Sequence, residues 1–189
     1  LDFPKRNHHN IKDQYHRYKM QVQHNGIDTV EGDLKVAGET LMRMQRDWCE
    51  TVVVESNHDL AFMKWLKESD PKFDNVWNAL FYHKCQVKVL NSILTGDQRY
   101  SIFEDTLTEM FPEIKAKFLR VDDSFIICND VGGGIECGNH GHIGNNGGRG
   151  SVQSFKILDR RQNIGHTHTA FIRDSVYCAG VKGKLDMGY

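Results

Sequence analysis

The 189-residue sequence lacks any unbroken apolar run of about 18 residues, the minimum for a membrane-spanning helix. It shows no secretory leader and no C-x-x-C pair. Its five cysteines (Cys49, Cys85, Cys128, Cys137, Cys178) are odd in number and widely scattered, which favours reduced thiols and a cytoplasmic setting over a disulfide framework. Charge of one sign is missing as well: 24 Lys and Arg face 25 Asp and Glu, for a net charge of -1. That excludes a protein that coats nucleic acid by bulk electrostatics, although an active site needs only a local basic groove. No internal repeat, linker or low-complexity segment interrupts the chain. What remains, 39% hydrophobic and 26% charged residues, is the composition of one globular domain with a sizeable core. The sequence opens on Leu1 and stops at Tyr189, so it is expected to be part of a longer protein.

Residues 1–26 are polar and rich in His, Asn, Lys and Arg. Asp2 precedes Phe3-Pro4, which places it at a strand end or in a loop. From Asp28 to Trp48, Val30, Leu34, Ala37, Leu41, Met44 and Trp48 recur at helical spacing. Thr51-Val52-Val53-Val54 is a β-branched run of the kind found in buried strands, and it leads into Ser56-Asn57-His58-Asp59. A helix is expected from Leu60 to Lys67, broken at Asp70-Pro71. Another is expected over Asn75–Leu94, with Trp77, Leu80, Phe81, Val87, Leu90 and Leu94 as core. A short helix over Thr106–Phe111 closes at Pro112.

Beyond Phe118 the period shortens. Phe118–Val121 and Ser124–Cys128 read as strands joined by an Asp122-Asp123 turn, and Ile135–Cys137 as a third. The glycine-rich segment Gly144–Ser151 is neither helix nor strand. Ser151 can cap a helix over Val152–Arg161 with Phe155 and Leu158 inward. Two further strands, Thr169–Ile172 and Val176–Ala179, flank Arg173-Asp174-Ser175. Pattern alone therefore gives a single mixed α and β domain over residues 1–189.

Three loops share one format, a strand end followed by polar, ligand-type residues: Ser56-Asn57-His58-Asp59, Asn139-His140-Gly141-His142 and Gly165-His166-Thr167-His168. Neutral imidazole is the commonest protein metal ligand, and five of the ten histidines fall in these loops. Each loop alone is weak; an H-x-H pair arises easily by chance. Their combination and order resemble the calcineurin-like metallophosphoesterase superfamily, whose blocks run D-x-H, G-D-x-x-D, G-N-H-[DE], H-G-H and G-H-x-H. The last three stand here as S-N-H-D, N-H-G-H and G-H-T-H, and the likeness covers about residues 50 to 180. The first block is absent and the second partial, so the domain is expected to be incomplete at its N-terminal side.

The resemblance implies an α+β fold of two packed mixed β-sheets flanked by helices, a four-layer sandwich. It implies two divalent metal ions, with manganese favoured and iron or zinc possible, in keeping with mixed His, Asn and carboxylate ligands. Asn57, His140 and His166 would hold one metal and His168 the other. Asp2 would be the remnant of the second block, with Asp33 a rival and the bridging aspartate upstream. His58 would stabilise or protonate at the substrate phosphate, and Asp59 would orient it. Capping of the next helix is the structural alternative for this pair. Arg149 is a candidate phosphate clamp, although its loop reads equally as a surface loop; His142 is a candidate substrate contact, facing solvent or lying behind the ligands.

The function implied is a metal-dependent phosphoesterase, most similar to DNA-repair exonucleases and to phage-encoded members, with nucleic acid as substrate. In a phage this would act in the host cytoplasm; homo-oligomers are possible. The alternatives are a phosphatase or a small-molecule or cyclic-nucleotide phosphodiesterase, and a non-catalytic relic of the fold.

Overall fold

Thr29 starts the first helix by accepting, through its hydroxyl, the backbone N–H of Gly32 at 3.1 Å. The computed structural model describes residues 29–74, 76–158 and 160–180, and Asp2 lies outside them. These residues form two compact units. One holds residues 29–51 with His58–Ala116, the other Val52–Asn57 with residues from Lys117 onward.

The first unit is helical. Helix α1 (Val30–Met44) buries Val30, Leu34, Ala37 and Leu41 along one stripe. The sequence pattern continues to Trp48, but the helix does not. The Arg46 guanidinium donates to the carbonyls of Arg43 (2.7 Å) and Gln45 (2.6 Å), satisfying acceptors at the helix end. A bridge between Arg46 and Cys49 then turns the chain, leaving Trp48 82% exposed and Met44 outside the core. Asn78, wholly buried, accepts the Val30 N–H at 2.8 Å and donates to Asp74 at 2.9 Å, tying the start of α1 to a distant segment.

Helix α2 (Leu60–Glu68) supplies Phe62 and Trp65 to an aromatic cluster with Phe81. A short 3-10 turn (Pro71–Phe73) follows. Helix α3 (Val76–Thr95) comes next; its Tyr82 hydroxyl donates to the Leu66 carbonyl at 2.7 Å. Of the six core residues expected on α3, only Phe81 is buried; Trp77, Leu80, Val87, Leu90 and Leu94 are exposed. Helix α4 (Ile102–Met110) begins four residues earlier than expected because Ser101 caps it, accepting from Glu104 N–H. Its last turn leads to Phe111, whose ring lies where a side chain at Gly38 would stand. Glycine within α1 is therefore a packing requirement.

The second unit carries two sheets. Strands β1 (Val52–Val54) and β2 (Lys117–Leu119) pair in parallel. The other sheet holds β3 (Ile126–Ile127), β4 (Ile135–Glu136), β5 (Arg161–Ile164), β6 (Phe171–Arg173) and β7 (Val176–Cys178), in the order β3-β4-β5-β7-β6. The β4–β5 and β5–β7 pairs are parallel; the β3–β4 and β6–β7 pairs are antiparallel. The fold is thus mixed α and β, with helices and two sheets.

Two expectations fail here. The strands on either side of Asp122-Asp123 are not hairpin partners: Asp123 closes a tight turn by accepting Arg120 N–H at 2.8 Å, and β2 and β3 join different sheets. The helix opened by Ser151 is only α5 (Val152–Lys156), closed by a reciprocal Ser151–Ser154 capping box. Leu158 is consequently exposed, and Arg161 starts β5. Phe155, Ile164, Val176 and Cys178 form the core of this sheet. None of the five cysteines is bridged. No helix among the described residues is long and apolar enough to cross a membrane.

Candidate metal centre

Parallel neighbours deliver their following loops to the same edge of a sheet. In the β4–β5 pair, Glu136 stands opposite Gln162. His140 and His166 are each the fourth residue beyond these partners, so the two histidines leave the sheet in step. Their loops are joined directly: the N–H groups of Gly165 and His166 both donate to the His140 carbonyl, at 2.9 and 2.8 Å.

Two buried polar residues hold the exits. The Glu136 carboxylate accepts the Ser124 hydroxyl, Phe125 N–H at 2.8 Å and Gly138 N–H at 2.7 Å. Burial opposes its charge, but these three donors and nearby Arg160 outweigh burial and hold the carboxyl below the usual carboxylate range. Gln162, 2% exposed, accepts Asn139 Nδ2 at 3.0 Å, locking the residue before His140 to the neighbouring strand. Neither residue stood out in the sequence. Gln162 lies just past the end of the expected helix, and Glu136 read as an ordinary strand residue.

Gly141 takes φ +98°, a conformation that favours glycine, and turns the chain between His140 and His142. The loop then returns so closely that a Cβ at Gly150 would overlap the Gly141 carbonyl. Gly150 N–H donates to the His142 carbonyl at 3.0 Å.

Three imidazoles gather at this edge. Ring centroids are 5.4 Å apart for His140–His142, 5.4 Å for His140–His166 and 6.3 Å for His142–His166. Asn57, three residues past β1, joins them: its Oδ1 lies 3.1 Å from His140 Nε2. That contact serves as an N–H···O hydrogen bond. It also fits two ligands of one ion, since atoms about 2.1 Å from a metal and at right angles stand about 3 Å apart. Both ring nitrogens of His142 are buried and have no hydrogen-bond partner among the described residues. Burial, and then the charge of His166, push its protonation below the usual histidine range, favouring the neutral form that ligates metals.

Among the described residues, no three His, Cys, Asp or Glu side chains are arranged to hold a metal by themselves. The three imidazoles here are therefore not arranged to hold an ion by themselves, although with the Asn57 amide oxygen they are donors of the types that suit a divalent transition metal.

The structure brings together Asn57, His140, His142 and His166. His168 is exposed, two residues on; the Thr167 carbonyl between the two histidines accepts the Cys178 thiol at 3.0 Å. Arg149 is exposed and bridges to Ile143 at the base of its loop. His142 does not face solvent through its ring nitrogens. His58 and Asp59 follow Asn57 in sequence but belong to the helical unit. His58 is half-buried. Asp59 is buried and already helical (φ -66°, ψ -38°), with no side-chain capping bond, so capping does not explain its carboxylate. Asp33 is buried within α1, also in the helical unit.

Over 190 residues the chain is 42% identical to Protein A1 of Escherichia phage T5. The match takes in the whole of this chain and 33% of that protein, so the chain spans about a third of the relative's length. No family model matches the chain. No solved structure matches it.

Proposed function

We propose that this chain carries the core of a di-metal phosphoesterase, a nuclease that hydrolyses phosphodiester bonds in DNA. One observation carries the reading: Asn57 Oδ1 and His140 Nε2 lie 3.1 Å apart beside the His166 and His142 rings. Three loops distant in sequence thus contribute to one cluster, in the order in which the metallophosphoesterase blocks occur. The relative described above is itself a phage protein.

In this reading Asn57, His140 and His166 hold one ion and His168 the second, with carboxylate ligands from Asp2 and from sequence upstream. Manganese is the favoured metal, and the two sheets belong to the four-layer sandwich of the superfamily. When bound, the metals supply an activated water and positive charge against the phosphoryl oxygens. The chain's own residues do the rest. His58 donates a proton to the leaving oxygen, Asp59 orients its imidazole, and Arg149 holds the substrate phosphate, while the buried ring nitrogens of His142 face the ion rather than the substrate.

The test is hydrolysis with manganese of double- and single-stranded DNA alongside a small chromogenic phosphodiester. DNA cleavage abolished by His140→Ala supports the nuclease. Turnover of the small diester alone moves the assignment to a small-molecule phosphodiesterase. A protein that binds less than one metal per chain and turns over no phosphoester is a relic.

A further inference from the structure

Helix α3 has two apolar faces, and the described residues of the helical unit cover only one. Asn78, Phe81, Tyr82 and Cys85 point inward and are buried. On the opposite face, Val76, Leu80, Val87, Leu90 and Leu94 are all exposed, with Leu94 at 84%. Together with His83, also exposed, they occur at alternating spacings of four and three, the seam of a heptad repeat. The stripe spans about 27 Å at the helical rise. Trp77 and Ile93, both exposed, widen it. An uncovered apolar patch of this extent marks an interaction surface.

We infer that α3 is the dimerisation helix of this protein, pairing antiparallel with α3 of a second copy. Area is the first argument. The seven large apolar side chains left 53% to 84% exposed on α3 present roughly 800 Å², about what each partner of a standard-size interface buries. Self-complementarity is the second. A two-fold axis at the level of residue 85 sets Val76 against the partner's Leu94 and Leu80 against the partner's Leu90. His83 meets only the partner's Val87, so no ionised pair is buried in the seam. Antiparallel pairing also opposes the two helix dipoles favourably, and isologous closure leaves no free copy of the stripe. Lys84, at the rim near the axis, faces its own copy across solvent, where salt screens the repulsion.

Sedimentation of the chain gives twice 21.8 kDa if the inference holds, and the dimer tightens as salt is raised. Val87→Lys with Leu90→Glu sediments at half that mass with unchanged circular dichroism, because both positions are exposed. Orientation is read separately. Leu80→Cys and Leu90→Cys variants, mixed and oxidised, give an 80–90 cross-link by peptide mapping, and neither variant alone cross-links at the introduced position. A chain that stays monomeric at every concentration overturns the inference, as does a double variant that remains dimeric. A Leu80→Cys variant that links to its own copy overturns the antiparallel arrangement.

Discussion

The backbone N–H of His166 donates to the carbonyl of His140 at 2.8 Å, so these two side chains are fixed to each other through main chain as well as through the sheet below. Under the proposed function these residues would not need the metal to find their positions. The cluster is expected to survive metal removal with its fold intact, and the roles of its members can be separated by substitution.

His140→Ala is expected to reduce metal affinity at least about tenfold, the scale on which metal sites respond to lost supporting contacts. His168→Ala is expected to lower metal content as well. His58→Ala should retain metal while losing most turnover. Metal content by elemental analysis, set beside phosphodiester turnover, checks all three. Loss of metal in the His58 variant would make His58 a ligand and reverse its role.

Glu136 gives the fold an acid sensitivity. Its carboxyl titrates below the usual range in the folded chain, so its contribution to stability is complete above the unfolded value. It is lost as pH falls through the lower folded value. Glu136→Gln keeps the shape, loses the charge, and is expected to cost about 1–3 kcal/mol at neutral pH. Denaturant titrations at neutral and acid pH should show the variant and the parent converging as pH falls; a constant gap would assign the cost to shape alone.

Gly150→Ala places a methyl group against the Gly141 carbonyl, which is backbone and cannot rotate away. A loss of about 1–3 kcal/mol is expected, together with weaker metal binding, since Gly141 sits between His140 and His142. Gly147→Ala, where nothing lies within 4 Å, bears only the strain of its positive φ. It should leave metal binding unchanged, which isothermal titration would read.

The thiols differ in a way alkylation can resolve. Cys49 and Cys128 are exposed, whereas Cys85 is 2% exposed. Burial, with the charges of Glu109 and Asp105 adding and Lys88 opposing, pushes the Cys85 thiol up to about 12. At pH 8 iodoacetamide should modify Cys49 and Cys128 quickly and Cys85 only after unfolding. Rapid native labelling of Cys85, read by mass spectrometry, would contradict its burial on the inner face of α3.

Much of the helical unit was legible because its helices announce themselves by period. Val30, Leu34, Ala37 and Leu41 recur at helical spacing and are all buried. Period shows which side chains share a face, not what that face meets. Leu80, Val87 and Leu94 therefore read as core, although nothing in the described chain covers them. Strand β5 was hidden for the opposite reason. Of its two inward positions, Ile164 is apolar but the other carries Gln162, whose polarity is matched by Asn139, so no alternation of apolar residues marks it. The ligand-type residues could be picked out by type and order. That His140 and His166 stand side by side depends on the parallel register of β4 with β5, which no local pattern encodes.

The loop between His142 and Ser151 has a fixed base and a tip tied outward through Asn145, whose Nδ2 donates to the Ser154 carbonyl. The base is locked by Gly150 against Gly141. The tip closes on itself through Gly144 N–H to Gly148 and Gly147 N–H to Gly144, at 2.8 and 2.9 Å. Residues 146–148 can accordingly be recoded without moving an imidazole. Under the proposed function, changes in the tip's length and charge would alter substrate preference while the histidine edge beneath it stays the same.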